Sequence, residues 1–210
     1  MNAPKSYRIA YLHGMGGGSD SRIPSLLRPM LPDGTVLEVR TYDFDPEVAH
    51  ARIESWFADF HPDVVVGESL GSLHALRTPD VPRILVSPAL GAPARMRIYS
   101  WLALIPGVTA ILDRIYKPRE GDRQKLHFTY KVLKKYRQHG KEALQPRGGS
   151  VFAFFGLHDH YMKWGVVSIG KYKKLFGDGY ATYDGTHFME EEYVKSMLLP
   201  QILQTLSHLR

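Results

Sequence analysis

A serine between two glycines directly follows a short apolar run. The run is Val64-Val65-Val66, and the pentapeptide Gly67-Glu68-Ser69-Leu70-Gly71 comes next. This pattern predicts that a buried strand turns sharply into a helix at Ser69, because a Cβ at either glycine position would collide with neighbouring backbone. Such a turn holds a serine hydroxyl above the end of a sheet. Ser69 is therefore the candidate nucleophile.

A serine hydroxyl needs two partners to act as a nucleophile at neutral pH: a base within hydrogen-bond distance and an acid that orients the base. Both follow later in the chain. Asp159 comes after the apolar run at residues 151–155, and His187 comes after the run at Tyr180–Tyr183. Because the carboxyl ends of parallel strands share one edge of a sheet, we expect both side chains near Ser69. Asp184 is the alternative acid.

A glycine-rich loop follows the first apolar run and reads His13-Gly14-Met15-Gly16-Gly17-Gly18. Attack on a carbonyl creates an oxyanion, which needs two donors that are already in place. We expect the backbone amides of Leu70 and Met15 to supply this oxyanion hole, and His13 and Gly14 to contact substrate. A phosphate cradle is the alternative, but the loop lacks both the Gly-Lys-Ser/Thr ending of a P-loop and the glycine spacing of a dinucleotide site.

Six short apolar runs alternate with helix-like stretches, which predicts an α/β fold with a mostly parallel sheet of about six strands. The predicted strands cover residues 7–12, 36–42, 63–66, 83–87, 151–155 and 180–183. The helices between them are predicted to begin near Ser21, Pro46, Ser69, Lys163 and Glu190. With 210 residues, 44% of them apolar, we expect residues 1–210 to form a single domain.

Residues 88–149 interrupt this alternation, and we interpret them as a helical lid inserted into the domain. An uncharged segment, residues 98–112, contains Pro106-Gly107 and is too short to cross a bilayer, so it predicts a broken helix over a pocket. A basic segment, residues 122–139, predicts an amphipathic helix. Trp101 is a candidate substrate contact, and packing inside the lid is the plainer interpretation.

Positive charge is concentrated in the same region. Residues 87–150 hold 13 Lys and Arg against 4 Asp and Glu, a net charge of +9, whereas the rest of the chain carries −3. Such a surface could attract an anionic substrate or a lipid surface, and a solvated helical face is the alternative. Nucleic acid stacking on Tyr130 and Tyr136 is disfavoured, because aromatic residues at helical spacing usually pack inside.

Composition excludes further classes of chemistry. The chain has no cysteine, which removes disulfides, thiolate catalysis and cysteine-type zinc sites and suits a reducing compartment. His158 and His160 flank Asp159, but in an extended segment they would leave on the opposite side from it, so we expect no metal and no cofactor. The first residues lack the apolar core of a signal peptide, so a cytoplasmic protein without a transmembrane segment is expected.

These features together resemble the α/β-hydrolase superfamily, in a compact form without the two strands that open the full eight-stranded fold. The resemblance covers nearly the whole chain. It rests on the His13-Gly14 loop, the Ser69 turn, which is the nucleophile elbow of that family, the Gly156-Leu157-His158-Asp159 turn and Gly185-Thr186-His187. It implies a three-layer α/β-hydrolase fold in which a lid is inserted where residues 88–149 lie.

The resemblance also implies a catalytic triad, with Ser69 as nucleophile, His187 as base and Asp159 as orienting acid. One family variant carries the acid at the end of the sixth strand, but the corresponding residues here, Leu85-Val86-Ser87-Pro88, include no carboxylate. The expected activity is that of a serine hydrolase acting on a small-molecule carboxylic ester or thioester. Acyl transfer to an alcohol or amine, and a non-catalytic binding protein on the same fold, are the alternatives.

Overall fold

The computed structural model describes residues 6–117, 120–145 and 147–209, and its centre is one six-stranded sheet. The strand order is β2-β1-β3-β4-β5-β6, and each neighbouring pair is parallel. The six predicted strands are all present, and the predicted fold class is confirmed. Their bounds are β1 (Arg8–Leu12), β2 (Val36–Val39), β3 (Val64–Glu68), β4 (Arg83–Val86), β5 (Val151–Gly156) and β6 (Tyr180–Tyr183).

The sheet is buried on both faces, because alternate side chains of a strand point to opposite sides. On β3, Val65 packs in one hydrophobic cluster, whereas Val64 and Val66 pack in the other. A strand covered on both faces must be apolar at nearly every position, which is why the apolar runs of this chain are continuous. Helices on the two faces complete three layers.

The helices are α1 (Arg22–Leu27), α2 (Pro46–Phe60), α3 (Gly71–Arg77), α4 (Ala92–Leu102), α5 (Val108–Ile115), α6 (Tyr130–Ala143), α7 (Ile169–Phe176), α8 (Glu191–Tyr193) and α9 (Leu199–Ser207). A π-helical turn, Val194–Leu198, joins the last two. The predicted start near Lys163 is wrong: Asp159 caps a short 3-10 turn, His160–Met162, and α7 begins only after Ser168, whose hydroxyl accepts a hydrogen bond from the Lys171 amide.

The insertion, residues 88–149, contributes α4, α5 and α6 between β4 and β5. Its uncharged segment breaks at Pro106-Gly107, where Gly107 has a φ of 86°, and a new helix starts at Val108. The basic segment is helical only from Tyr130, and residues 122–129 have no regular secondary structure apart from a single β-bridge at Arg123. The apolar face of α6 packs into the domain: Tyr136 is buried and donates a hydrogen bond to the Phe44 carbonyl over 2.7 Å, so its ring is not available for stacking.

Candidate active site

The turn between β3 and α3 holds Ser69 in a strained backbone conformation. Its φ is +49°, a left-handed value that costs a non-glycine residue energy, and its amide donates to the Val86 carbonyl over 2.8 Å. Both flanking glycines have the close neighbours that the sequence predicts. A Cβ on Gly71 would lie 2.2 Å from the Leu12 carbonyl oxygen, and one on Gly67 would lie 2.9 Å from the Ser72 Cα atom.

Three side chains that are far apart in sequence meet at the carboxyl edge of the sheet. His187 Nε2 lies 2.9 Å from Ser69 Oγ, and His187 Nδ1 lies 2.7 Å from Asp159 Oδ2. In the matching tautomer, the Nδ1–H group donates to Asp159 and Nε2 accepts from the serine hydroxyl. Asp159 and His187 are each 3% exposed, whereas Ser69 remains partly open to solvent. This order of groups is the one that activates a serine.

The alternative acid, Asp184, faces another histidine. Its Oδ1 atom lies 2.6 Å from His158 Nε2, on an exposed surface. A second hydrogen bond fixes the Asp159 carboxylate: its Oδ1 atom accepts a hydrogen bond from the Tyr161 amide over 2.8 Å, while Oδ2 faces His187. Asp159, and not Asp184, is therefore the carboxylate that contacts His187.

Tyr161 borders this site, and the sequence reasoning missed it. Its ring packs edge-on against His187 with 4.6 Å between ring centroids. Burial, followed by the nearby Tyr116, Asp159 and Tyr99, raises the pKa of the Tyr161 hydroxyl. Tyr99 and Tyr116 belong to the insertion, so part of the insertion lies close to the candidate site. The one available signal was the position of Tyr161, two residues beyond a candidate catalytic acid.

The glycine-rich loop forms a tight turn beside the serine. The Gly17 amide donates to the Gly14 carbonyl over 3.0 Å, and Gly16 has a φ of +71°, as a type II turn requires. A Cβ on Gly14 would lie 3.1 Å from the Ser69 Cβ atom, so a larger residue at this position would crowd the serine. Met15 occupies the first central position of this turn. Leu70 follows the serine at the start of α3, where amides have no intrahelical acceptor.

His13 lies under this loop. Its ring is 1% exposed and stacks on Tyr42 with 4.0 Å between centroids, and its Nδ1 atom lies 2.8 Å from the Gly14 carbonyl oxygen. Burial lowers the pKa of His13 to about 4, so the ring is neutral at pH 7. The expected contact of His13 with substrate stays a prediction. In the structure, the buried His13 ring packs against the glycine-rich loop.

Trp101 lies at the end of α4 and is 64% exposed. Its ring contacts Tyr130 of α6 edge-on, with 6.1 Å between centroids. The interpretation of Trp101 as part of a lid core is therefore wrong, because too little of the insertion covers it. Its role as a substrate contact stays a prediction.

Among the described residues, no group of three or more His, Asp or Glu side chains is arranged to hold a metal ion. In the same part of the chain, no helix has the length and apolar character needed to cross a bilayer.

No protein-family model matches the sequence, and no curated protein matches it. Solved structures do resemble the fold. A monoacylglycerol lipase from Paleococcus ferrophilus is 16% identical, with a TM-score of 0.65 and coverage of 96% of this chain and 94% of that one. A chain from the structural work on the metagenome-derived lipolytic enzymes LipS and LipT gives 14% identity, a TM-score of 0.65 and the same coverage.

A thioesterase domain from the curacin biosynthetic pathway is also similar, with 14% identity, a TM-score of 0.58 and coverage of 97% of this chain and 93% of that one. At such low identity, these similarities establish the fold alone. The chain has the α/β-hydrolase fold, with six parallel strands and helices on both sides.

Proposed function

We propose that this protein is a serine hydrolase that cleaves carboxylic esters or thioesters through an acyl-Ser69 intermediate. One observation carries the proposal: the continuous contact from Ser69 Oγ to His187 Nε2, and from His187 Nδ1 to Asp159 Oδ2, at 2.9 and 2.7 Å. The similar folds of a lipase and a thioesterase domain also support ester hydrolysis.

In the proposed mechanism, Ser69 Oγ attacks the carbonyl carbon while His187 Nε2 takes the hydroxyl proton. The negative charge on the carbonyl oxygen is held by the amides of Met15 and Leu70, and the imidazolium is held by Asp159. Collapse of the tetrahedral intermediate breaks the bond to the leaving group, which receives the proton from His187. Water, deprotonated by His187, then attacks the acyl-enzyme and releases the acid and free Ser69.

The first experiment is intact-mass analysis after exposure to a fluorophosphonate. We expect one adduct on wild type, none on Ser69→Ala and a strongly slowed reaction on His187→Ala. Ser196→Ala is the control, because that hydroxyl donates to the Glu192 carbonyl on the exposed surface. No adduct on folded wild type would refute an activated serine and favour a non-catalytic binding protein.

A second experiment tests the orienting acid. Asp159→Asn should lower the turnover of an activated ester by roughly 10⁴, because the asparagine no longer stabilises the correct imidazole tautomer and the imidazolium. Asp184→Asn is the matched control and should leave turnover unchanged. Product analysis with added alcohol separates ester hydrolysis from acyl transfer, since a transferase forms the new ester in preference to the free acid.

We also propose that the insertion binds an anionic lipid surface. Several large apolar side chains of its first two helices and their connection are exposed: Ile98, Trp101, Leu102, Leu104, Ile105, Ile111 and Ile115. Exposed basic residues, Arg97, Arg114 and Lys117, lie within or next to the same segment. Apolar side chains bordered by basic ones suit the interface of a membrane that carries acidic headgroups.

Vesicle sedimentation tests this second proposal. We expect binding to vesicles that contain phosphatidylglycerol, weaker binding to phosphatidylcholine alone, and release by salt. Ile111→Glu should reduce binding, whereas Val48→Glu, an exposed apolar position on α2, should not. Binding that depends neither on the acidic lipid nor on salt would refute the proposal.

A further inference from the structure

A non-helical part of the insertion, residues 122–126, lies along the glycine-rich loop. Arg123 and Gly18 form an antiparallel bridge, and the Gln124 amide donates to the Gly17 carbonyl over 2.7 Å. The two backbones are so close that a Cβ on Gly18 would lie 1.8 Å from the Asp122 carbonyl oxygen. The insertion therefore touches the loop beside the serine through its main chain.

The Gln124 side chain adds two contacts at the same place. Its Oε1 atom accepts the Gly16 amide over 3.1 Å, and its Nε2 atom donates to the Asp43 carbonyl over 2.9 Å. The side chain is buried, at 3% exposure. Gln124 thus connects the turn at residues 14–17 with the segment after β2, and both the oxygen and the nitrogen of its side-chain amide form a hydrogen bond.

The two residues before Gln124 form further side-chain contacts to the loop and to the segment after β2. The Asp122 carboxylate accepts the hydroxyls of Ser19 over 2.6 Å and Thr41 over 2.8 Å, and these bonds lower the Asp122 pKa. Arg123 forms an ion pair with Asp20 at 3.0 Å. Side chains of residues 122–124 therefore contact the loop on both sides of Gly18.

We infer that Gln124 is a positioning residue for the oxyanion hole; this inference rests on the function proposed above. The bond from Gly17 to Gly14 closes the turn, but it does not engage the Gly16 amide or the Gly17 carbonyl. Gln124 binds both of these groups and so restrains the turn that carries the Met15 amide. Donors to an oxyanion are effective when they are held in place before the reaction begins. Any movement of the insertion that breaks these bonds also releases the turn.

The test replaces Gln124 with methionine, which has a similar length but lacks both the amide oxygen and the amide nitrogen. Turnover of a p-nitrophenyl ester should fall roughly 10- to 100-fold while KM changes little, because the oxyanion forms only after substrate has bound. Inhibition by an alkyl boronic acid, whose adduct with serine is tetrahedral, should weaken by a similar factor. The control is Gln138→Met, the same substitution at an exposed position of α6 where the side chain contacts Glu142, and it should keep wild-type turnover.

Several outcomes distinguish a failure of the proposed function from a failure of the positioning role of Gln124. Wild type without ester turnover and without a fluorophosphonate adduct refutes the proposed function itself. An active wild type together with unchanged turnover in folded Gln124→Met overturns the positioning role. If Gln124→Met does not fold, Gln124→Asn makes the same comparison, because its amide is one methylene too short to contact both the Gly16 amide and the Asp43 carbonyl: a few-fold loss of turnover at constant KM supports the inference, and unchanged turnover overturns it.

Discussion

Mild acid should destabilise this protein, because a row of imidazoles packs inside it in the neutral form. His13 stacks on Tyr42, the edge of Tyr42 meets His74, and His74 lies 4.4 Å from His139 between ring centroids. His50 continues the row 6.2 Å from His139, at a less buried position. Burial is the largest cause that lowers the pKa of each of these four histidines.

The size of the effect follows from the two histidines with the clearest values. Burial lowers the pKa of His13 from 6.5 to about 4 and that of His139 from 6.5 to about 3. Each imidazole therefore takes up a proton more readily in the unfolded chain, and its contribution to stability is complete above the unfolded pKa and decreases as the pH falls toward the folded pKa. At about pH 5, each of these two histidines therefore lowers the free energy of unfolding by about 2 kcal/mol relative to neutral pH.

Together, His13 and His139 would lower the free energy of unfolding by about 4 kcal/mol. This is a large part of the 5–15 kcal/mol that typically stabilises a domain. Urea unfolding between about pH 5 and about pH 8 measures this loss directly. In His139→Gln, which keeps an acceptor for the Arg77 guanidinium now 2.8 Å from His139 Nδ1, the slope of unfolding free energy against pH should be reduced by about one proton. His127→Gln, at an exposed position, is the control.

Two results would refute this reasoning. One is an unfolding free energy that stays constant from neutral pH down to about pH 5, since buried neutral histidines require a decrease. The other is an equal reduction of the slope in His139→Gln and His127→Gln, which would mean that burial is not the cause.

Three further predictions concern a close backbone contact, a buried hydrogen bond and a pair of salt bridges. Gly71→Ala should destabilise the fold by at least about 1–3 kcal/mol in thermal unfolding, because its Cβ would overlap the Leu12 carbonyl; an unchanged Tm would contradict the close approach at the elbow. Tyr136→Phe should cost about 1–3 kcal/mol without changing turnover, since it leaves the buried Phe44 carbonyl without its donor; a loss of turnover at constant stability would contradict this. Lys135→Ala, which removes a half-buried contact to two carboxylates, should cost at most about 1 kcal/mol; a larger loss than in Tyr136→Phe would reverse the expected ranking.

Local patterns in the sequence were enough to predict the sheet. Continuous apolar runs mark strands covered on both faces, and glycines on either side of Ser69 mark a turn in which a Cβ does not fit. Asp159 and His187 could be proposed from the chain because each directly follows a strand, and parallel strands end at one edge. These inferences depend on neighbours in sequence and on the general geometry of α/β sheets.

Contacts between distant parts of the chain were decided by tertiary structure. Two carboxylates lie near the end of the sheet, and only the path of the loops puts Asp159 rather than Asp184 beside His187. The segment at residues 122–129 has a composition that suits a helix, yet it is not helical, and its backbone pairs with the glycine-rich loop at Arg123 and Gln124.

Gln124 is the clearest case of this kind. It lies 108 positions from Gly16, and no local pattern marks it. The sequence by itself determined the strands, the elbow and the candidate serine and histidine, because these depend on periodicity, glycine geometry and strand ends. Tertiary structure alone decided which insertion residues hold the loop beside Ser69, because that depends on how two distant backbones pack against each other.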